Sequence, residues 1–440
     1  MKYDAVIVGG GEGGLFSGAI LAKKGIKVLI LEQAPQIGGR ARSLEYKPGY
    51  FLDYGIHAIR YGKKGIIPTI FKKDLNDPLK LLHFKEGKLY RNEKLMDVSL
   101  SGELLQSSLI ANEDKSTLGQ VINDMIKLKY EDYFDVSIKD HWKYTIKNEN
   151  IWNLISLMAA GIMVTPDIEN ASFGEFLYAI QMLLKSGRSA SYPEGGWKTI
   201  LNKLDNIISE HGDIRLKTKV KHIKIKNKAV QGVELVSGEF IDAENVIAAI
   251  PSQHLFSILD EKEFSKKFVQ KAKNLICSSG ISIDLGLKKK ISDIDGLIAG
   301  DYPLFLACFM SNLDPHCAPV GEQLFTILQP VTKEVAKSKT SSDAVVSNLL
   351  IHLYKMFPEI KDQIKWKRIL KILMMDGAIC IVGQTRKDRP SVKSSIDGLY
   401  FSGDCYNGPG VGGDIAPSSA RLCAKTILKE IYGEKIAISK

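Results

Sequence analysis

The chain has 440 residues, 45% of them hydrophobic and 25% charged, with a formal charge of +10. This composition excludes a disordered or low-complexity chain, and the length suits roughly two to three domains. The six cysteines include no CxxC pair and the eight histidines no HExxH spacing, so no metal site is expected.

The opening "MKYDAVIVGGG" runs straight into an apolar strand with no signal segment, and a cytoplasmic protein is the expectation. The pattern predicts a strand over Tyr3–Val8, a glycine turn, a helix from about Gly13 to Lys24 and a second strand over Lys27–Glu32, with Gly25 as the helix C-cap. Gly9, Gly11 and Gly14 spell GxGxxG. The first allows the tight turn, the second lets backbone approach a pyrophosphate, and the third lets helix and strand pack closely. Glu32 ends the second strand roughly 20 residues further on, where a carboxylate accepts hydrogen bonds from the hydroxyls of an adenosine ribose. An adenine dinucleotide, FAD or NAD, is favoured over NADP, whose 2′-phosphate that carboxylate repels.

The next residues decide between the two. "QIGGRARS", with Gly38, Gly39 and Arg40, resembles the GGR segment of the flavin-dependent amine oxidase and phytoene desaturase superfamily, in which this loop lies along the FAD pyrophosphate. "GYFLDYGIHAIR" continues the likeness, with Asp53 and Gly55 matching an Asp-x-Gly beside the flavin. His57 either faces the substrate side of the flavin or fills a packing role. Further on, "IWNLISLMAAGIMV" (Ile151–Val164) is too short to span a bilayer and reads first as a core helix, with an interfacial or substrate-lining helix as the alternative. "YPEGGWKTILNKLDNIISEHGDIRLKTKVKHI" is similar to the family's Pro-x-Gly-Gly turn, helix and strand, and the resemblance gives Val220 the adenine contact. Around it, Lys217, Lys219, Lys221, Lys224, Lys226 and Lys228 have the period of a strand with one wet face. The basic charge is thereby spread over a solvated sheet, so no nucleic acid partner is expected, while peripheral contact with an anionic membrane stays open. Glu239–Pro251 reads as one strand returning to the cofactor domain.

Near the end, "LYFSGDCYNGPGVGGDIAPSSA" resembles the family's C-terminal GD segment. The likeness implies that Asp404 bonds the ribityl chain of FAD, with Gly403, Gly412 and Gly413 beside the ring and a helix from about Ala416 to Tyr432 aimed at it. Tyr406, Asn407 and His57 are the candidate catalytic residues on the substrate side. Asp414 departs from the desaturase branch, which often has proline there.

The expected fold is α/β: a Rossmann-like, glutathione-reductase-type FAD-binding domain, discontinuous over residues 1–65, 190–252 and 380–440. An inserted α+β substrate domain takes 66–189 and 253–379. The resemblance implies an FAD-dependent oxidoreductase that moves hydride between flavin N5 and a C–C bond of an apolar, isoprenoid- or lipid-like substrate. A flavin amine oxidase is the alternative, and a non-redox prenyl or lipid escort protein is an alternative of another class.

Overall fold

The computed structural model describes residues 3–85, 87–98, 114–187 and 190–433. A five-stranded parallel sheet takes its strands from across the chain, in the order Gly212–Arg215, Val28–Leu31, Ala5–Val8, Val246–Ala248, Leu399–Phe401. The inner strands at 5–8, 28–31 and 246–248 are buried along their whole length, as those of a helix-covered parallel sheet must be, and the edge strand at 399–401 is buried as well. Their carboxyl ends all point to one edge, the place where open α/β sheets bind ligands.

Helix Glu12–Ala22 follows the first strand and buries every residue except Glu12. Small residues let it sit so deep. A Cβ on Gly14 would stand 2.0 Å from the Gly9 carbonyl oxygen, and one on Gly13 would stand 2.9 Å from the Gly403 backbone. Ser17 Oγ donates to Gly13 O at 2.7 Å, and Ser402 Oγ donates to the same oxygen at 2.9 Å. Helix Ile415–Tyr432 packs along this helix from the C-terminal side.

Two further layers complete the molecule. A seven-stranded sheet has the order Ile364–Ile372, Ser279–Leu287, Gln323–Val331, Leu304–Phe309, Ile298–Asp301, Gly87–Arg91, Lys94–Val98. Its pairings are antiparallel except that of Ile298–Asp301 with Gly87–Arg91. A helical layer built on Glu149–Met163 and Phe173–Ser186 has its own apolar cluster. Helix Glu149–Met163 is capped by Asn148, whose side chain accepts from Asn150 N at 2.8 Å.

Two expectations change. Glu239–Pro251 is two strands: Phe240–Asp242 pairs antiparallel with Ala229–Leu235, and the chain then turns into Val246–Ala248 of the parallel sheet. The lysine-rich stretch is a strand only over Val220–Lys226, with register shifts after Val220 and Lys224. Lys217 and Lys228 sit in turns with φ of 52° and 60°. Side-chain alternation does not reveal bulges that reset it.

Replacing Gly13 by alanine pushes a methyl group into the Gly403 backbone and is expected to destabilise the fold by about 1–3 kcal/mol. Gly119, on helix Lys115–Lys127, gives the control, since a methyl group added there would meet nothing within 4 Å. Gly119→Ala is expected to stabilise by about 0.5–1 kcal/mol in the same denaturant titration.

Candidate cofactor and substrate site

A cavity of about 1190 Å³ opens along the carboxyl edge of the parallel sheet and runs from Glu32 and Val220 to Gly403, Asp404 and Asp414. At the Glu32 end, the carboxylate is held by backbone: Oε2 accepts from Gly10 N and Oε1 from Ala34 N, each at 2.7 Å. Each oxygen keeps a lone pair for a ligand hydroxyl. Helix Glu12–Ala22 starts here on Gly11, without a side-chain cap, and a Cβ on Gly11 would meet nothing within 4 Å. An uncapped helix start facing open space suits an anion. Gly38 and Gly39 line the opposite wall, and Gly38 N donates to Gly10 O at 2.8 Å.

Glu12 also faces this space, and its Oε1 is buried without a partner. Burial, followed by the nearby Asp404 charge, pushes its carboxyl up to about 8. Glu12 is therefore neutral at pH 7 and puts no charge beside an incoming phosphate.

At the other end, Arg40 forks onto Asp404: Nη1 to Oδ2 and Nη2 to Oδ1, both at 2.8 Å. Arg40 Nη1 also donates to Met375 O at 3.0 Å, and Gly377 N donates to Asp404 Oδ2 at 2.6 Å. Burial disfavours the Asp404 charge, but the guanidinium and the backbone donor outweigh it and hold the carboxyl below its usual value. The pair fastens the loop after the second strand to the loop after the last.

Other expected residues fall into two groups. His57 lines the cavity, with its ring 5.2 Å from that of Trp197 and its Nε2 unpartnered. Burial lowers it to about 4 against the opposing pull of the Tyr54 and Arg40 backbones, so it is a neutral imidazole at pH 7. Gly9, Gly55 and Gly413 line the same space. Gly14 and Gly412 stand behind it, where a side chain would strike Gly9 O or the Arg60 guanidinium.

Tyr406 and Asn407 are outside the cavity lining, a correction to the substrate-side expectation. Tyr406 is fully buried, stacked on Phe401 at 5.2 Å, with its hydroxyl donating to Ile250 O at 3.2 Å. Asn407 Oδ1 accepts from Val392 N at 2.8 Å and anchors the loop. Asp53 is a strut: it accepts from Tyr192 OH at 2.5 Å, and its backbone carbonyl accepts from Arg368 Nη2 at 2.6 Å. Sequence reasoning missed Glu12, Arg60, Tyr61 and Asp376 as cavity residues. A charge inside the glycine motif was the available signal for Glu12.

The sequence profile of flavin containing amine oxidoreductases matches residues 13–428. The chain belongs to that family. It is 24% identical to a phytoene desaturase of Phycomyces blakesleeanus over 81% of this chain and 70% of that protein. It is 22% identical to a 4,4'-diapolycopen-4-al dehydrogenase of Metabacillus indicus over 96% of each. An oxidoreductase from Methanosarcina mazei shares the fold with a TM-score of 0.82 at 22% identity, over 97% of this chain and 100% of that one. This family member is an FAD-dependent oxidoreductase with a Rossmann-like cofactor fold. The residues present fit FAD: one cavity joins a ribose-suited carboxylate, an uncapped helix start and a paired acid at the far end. Among the described residues no helix is long and apolar enough to cross a membrane.

Two outcomes follow from this electrostatic layout. Below about 8 Glu12 is neutral; above it, the ionised carboxyl faces the phosphates, so FAD affinity measured by fluorescence titration should fall from about pH 7 to about pH 9. Glu12→Gln should hold affinity flat over that range. Asp404→Asn leaves Arg40 without its anion and is expected to destabilise the protein by about 1–3 kcal/mol, less than a fully buried pair would cost because Arg40 is one-third open. Its purified form should carry less FAD per chain, read from the ratio of visible to ultraviolet absorbance.

Proposed function

We propose that this protein moves a hydride between FAD and a C–C bond of a largely apolar, isoprenoid-like substrate, as a desaturase, a saturase or an isomerase. The observation that carries this reading is the apolar arm of the cavity. Helix Glu149–Met163 has two apolar faces: Ile151, Ile155, Ala159 and Met163 fill the core, while Leu154, Leu157, Met158 and Ile162 line the arm. Leu183 and Leu328 line it as well. Such a surface stabilises a hydrocarbon chain by about 25 cal/mol per Å² removed from water. The two curated relatives are named for acting on phytoene and on 4,4'-diapolycopen-4-al.

In this reading Glu32 takes the adenosine ribose hydroxyls, with Val220 beside the adenine. Gly9, Gly11 and the start of helix Glu12–Ala22 take the pyrophosphate with Gly38 and Gly39. Gly403 and Gly413 flank the ring, with Arg40 and Asp404 serving the chain that leads to it. The cofactor domain is then the set of segments 1–65, 190–252 and 380–440, and the remainder shapes the substrate arm. When bound, FAD would supply two-electron chemistry, taking up a hydride from one substrate carbon, so that loss of a proton from the neighbouring carbon would leave a double bond. His57 offers its unpartnered Nε2 as the acceptor for that proton: burial keeps the imidazole neutral, so the nitrogen is vacant, and makes it a weak base that passes the proton on instead of keeping it. The apolar walls exclude water from the exchange.

The rim suits a source of such substrates. Leu184 lines the cavity while 55% exposed, and Ile126 is equally exposed next to the lining residue Met125. Lys127, Lys129 and Lys185, one to three residues away in sequence, are exposed as well, a combination that favours peripheral contact with an anionic lipid surface.

Anaerobic mixing of the FAD-loaded protein with a C40 polyene should bleach the oxidised flavin bands in the desaturase direction, and the polyene should reoxidise pre-reduced flavin in the saturase direction. Bleaching by primary or secondary amines in place of polyenes contradicts the reading and makes the protein an amine oxidase. His57→Gln should slow polyene bleaching by about 10²–10⁴-fold with FAD content unchanged.

A further inference from the structure

Between the apolar arm and the C-terminal loop the cavity wall turns polar. Arg60 bridges the two elements, donating through Nη2 to Ile162 O of the apolar helix and through Nη1 to Val411 O of the loop, both at 3.0 Å. Its Nη1 lies 3.9 Å from Asp414 Oδ2, close enough for ion pairing but too long for a hydrogen bond. Asp414 is 7% exposed, and this Oδ2 has no hydrogen-bond partner. The neighbouring Tyr61 is 5% exposed, and its hydroxyl also has none. Both residues line the cavity. Tyr61 takes a left-handed φ of 61°, and Val164, at the end of the apolar helix, takes 51°. A buried acceptor and a buried donor left unmet on one wall cost free energy unless a ligand meets them.

We propose that Tyr61 and Asp414, braced by Arg60, form a polar subsite that binds a neutral hydroxyl group on an otherwise apolar substrate. This rests on the apolar-substrate reading above and narrows its substrate class to oxygenated chains. A hydroxyl has the chemistry to meet both vacant atoms, accepting from Tyr61 OH and donating to Asp414 Oδ2, and the two groups are near enough for the Asp414 charge to act on Tyr61. An ammonium is opposed by Arg60 and a carboxylate by Asp414, whereas the pair together carries no net charge. A plain hydrocarbon leaves both groups unsatisfied. Asp376, a further carboxyl of this cavity, is already engaged, accepting from Ser278 Oγ at 3.3 Å. Burial pushes Asp414 up to about 6 in spite of Arg60, consistent with a carboxyl that lacks a strong partner.

The test uses FAD-loaded protein in mild detergent, titrated with geranylgeraniol or with the hydrocarbon of the same skeleton lacking the oxygen. The perturbation of the flavin absorbance bands reports binding. The alcohol should bind about 10- to 1000-fold more tightly than the hydrocarbon, because a site built for a hydroxyl rejects the analogue without it. Tyr61→Phe, which removes one oxygen and nothing else, and Asp414→Asn should each cut that preference at least about threefold. Hydrocarbon affinity should not change. Equal affinity for the two probes in the unaltered protein overturns the subsite and leaves the apolar-substrate reading intact. Binding of neither probe overturns both. If Asp414→Asn alters the flavin spectrum without any probe, and the preference for alcohol persists, Asp414 serves the cofactor ring and the subsite is wrong.

Discussion

The fold depends on two glycine loops, nearly the whole chain apart in sequence, meeting backbone to backbone. Gly13 and Gly403 approach so closely that a methyl group on Gly13 does not fit between them, and Ser402 Oγ closes the junction onto Gly13 O at 2.9 Å. Closing so large a loop costs little more than closing a moderate one, since the entropic penalty grows only with the logarithm of length. The parallel sheet meets that cost. Val246–Ala248 lies between the first strand and the last, so the chain must complete both large insertions before Leu399–Phe401 docks. One crevice then serves both loops and runs from Glu32 to Asp404.

Charge in that crevice is managed by selective pairing. Glu12 is pushed up to about 8, and Asp376 and Asp414 each to about 6, all chiefly by burial. Asp404 is equally enclosed yet moves the other way, because Arg40 grips both of its oxygens. The same guanidinium connects the GGR loop to the GD loop, so the Asp404 charge helps hold the two loops together. A ligand with its own phosphates enters a site in which the acid nearest the helix start is neutral and the acid at the far end is already compensated.

Local pattern made the first unit legible. Strand, glycine turn, helix and acid are encoded within Tyr3–Glu32 by period and spacing, and the described strands and helix fall within one or two residues of that reading. The last strand and helix were equally plain, because Gly403 and Asp404 punctuate the apolar run before them. Contacts between distant segments were hidden. Nothing local couples Arg40 to Asp404, and a phosphate was the natural partner for a lone arginine after paired glycines. Tyr406 reads as a substrate-side residue because it sits in the glycine-rich loop, yet the flat stack on Phe401 turns it into the core. The apolar run at 151–164 reads first as a core helix with a substrate-lining helix as the alternative, and sequence alone does not separate them, since core and pocket walls draw on the same residues.

The most direct test of this architecture is a crystal structure of the full chain with FAD bound. The account predicts one FAD per chain, its adenosine ribose on Glu32 and its ring between Gly403 and Gly413, with Arg40 and Asp404 still joined at its side. A nucleotide lying at Glu32 with its ring outside the crevice, or separate ligands in the two glycine loops, would contradict it.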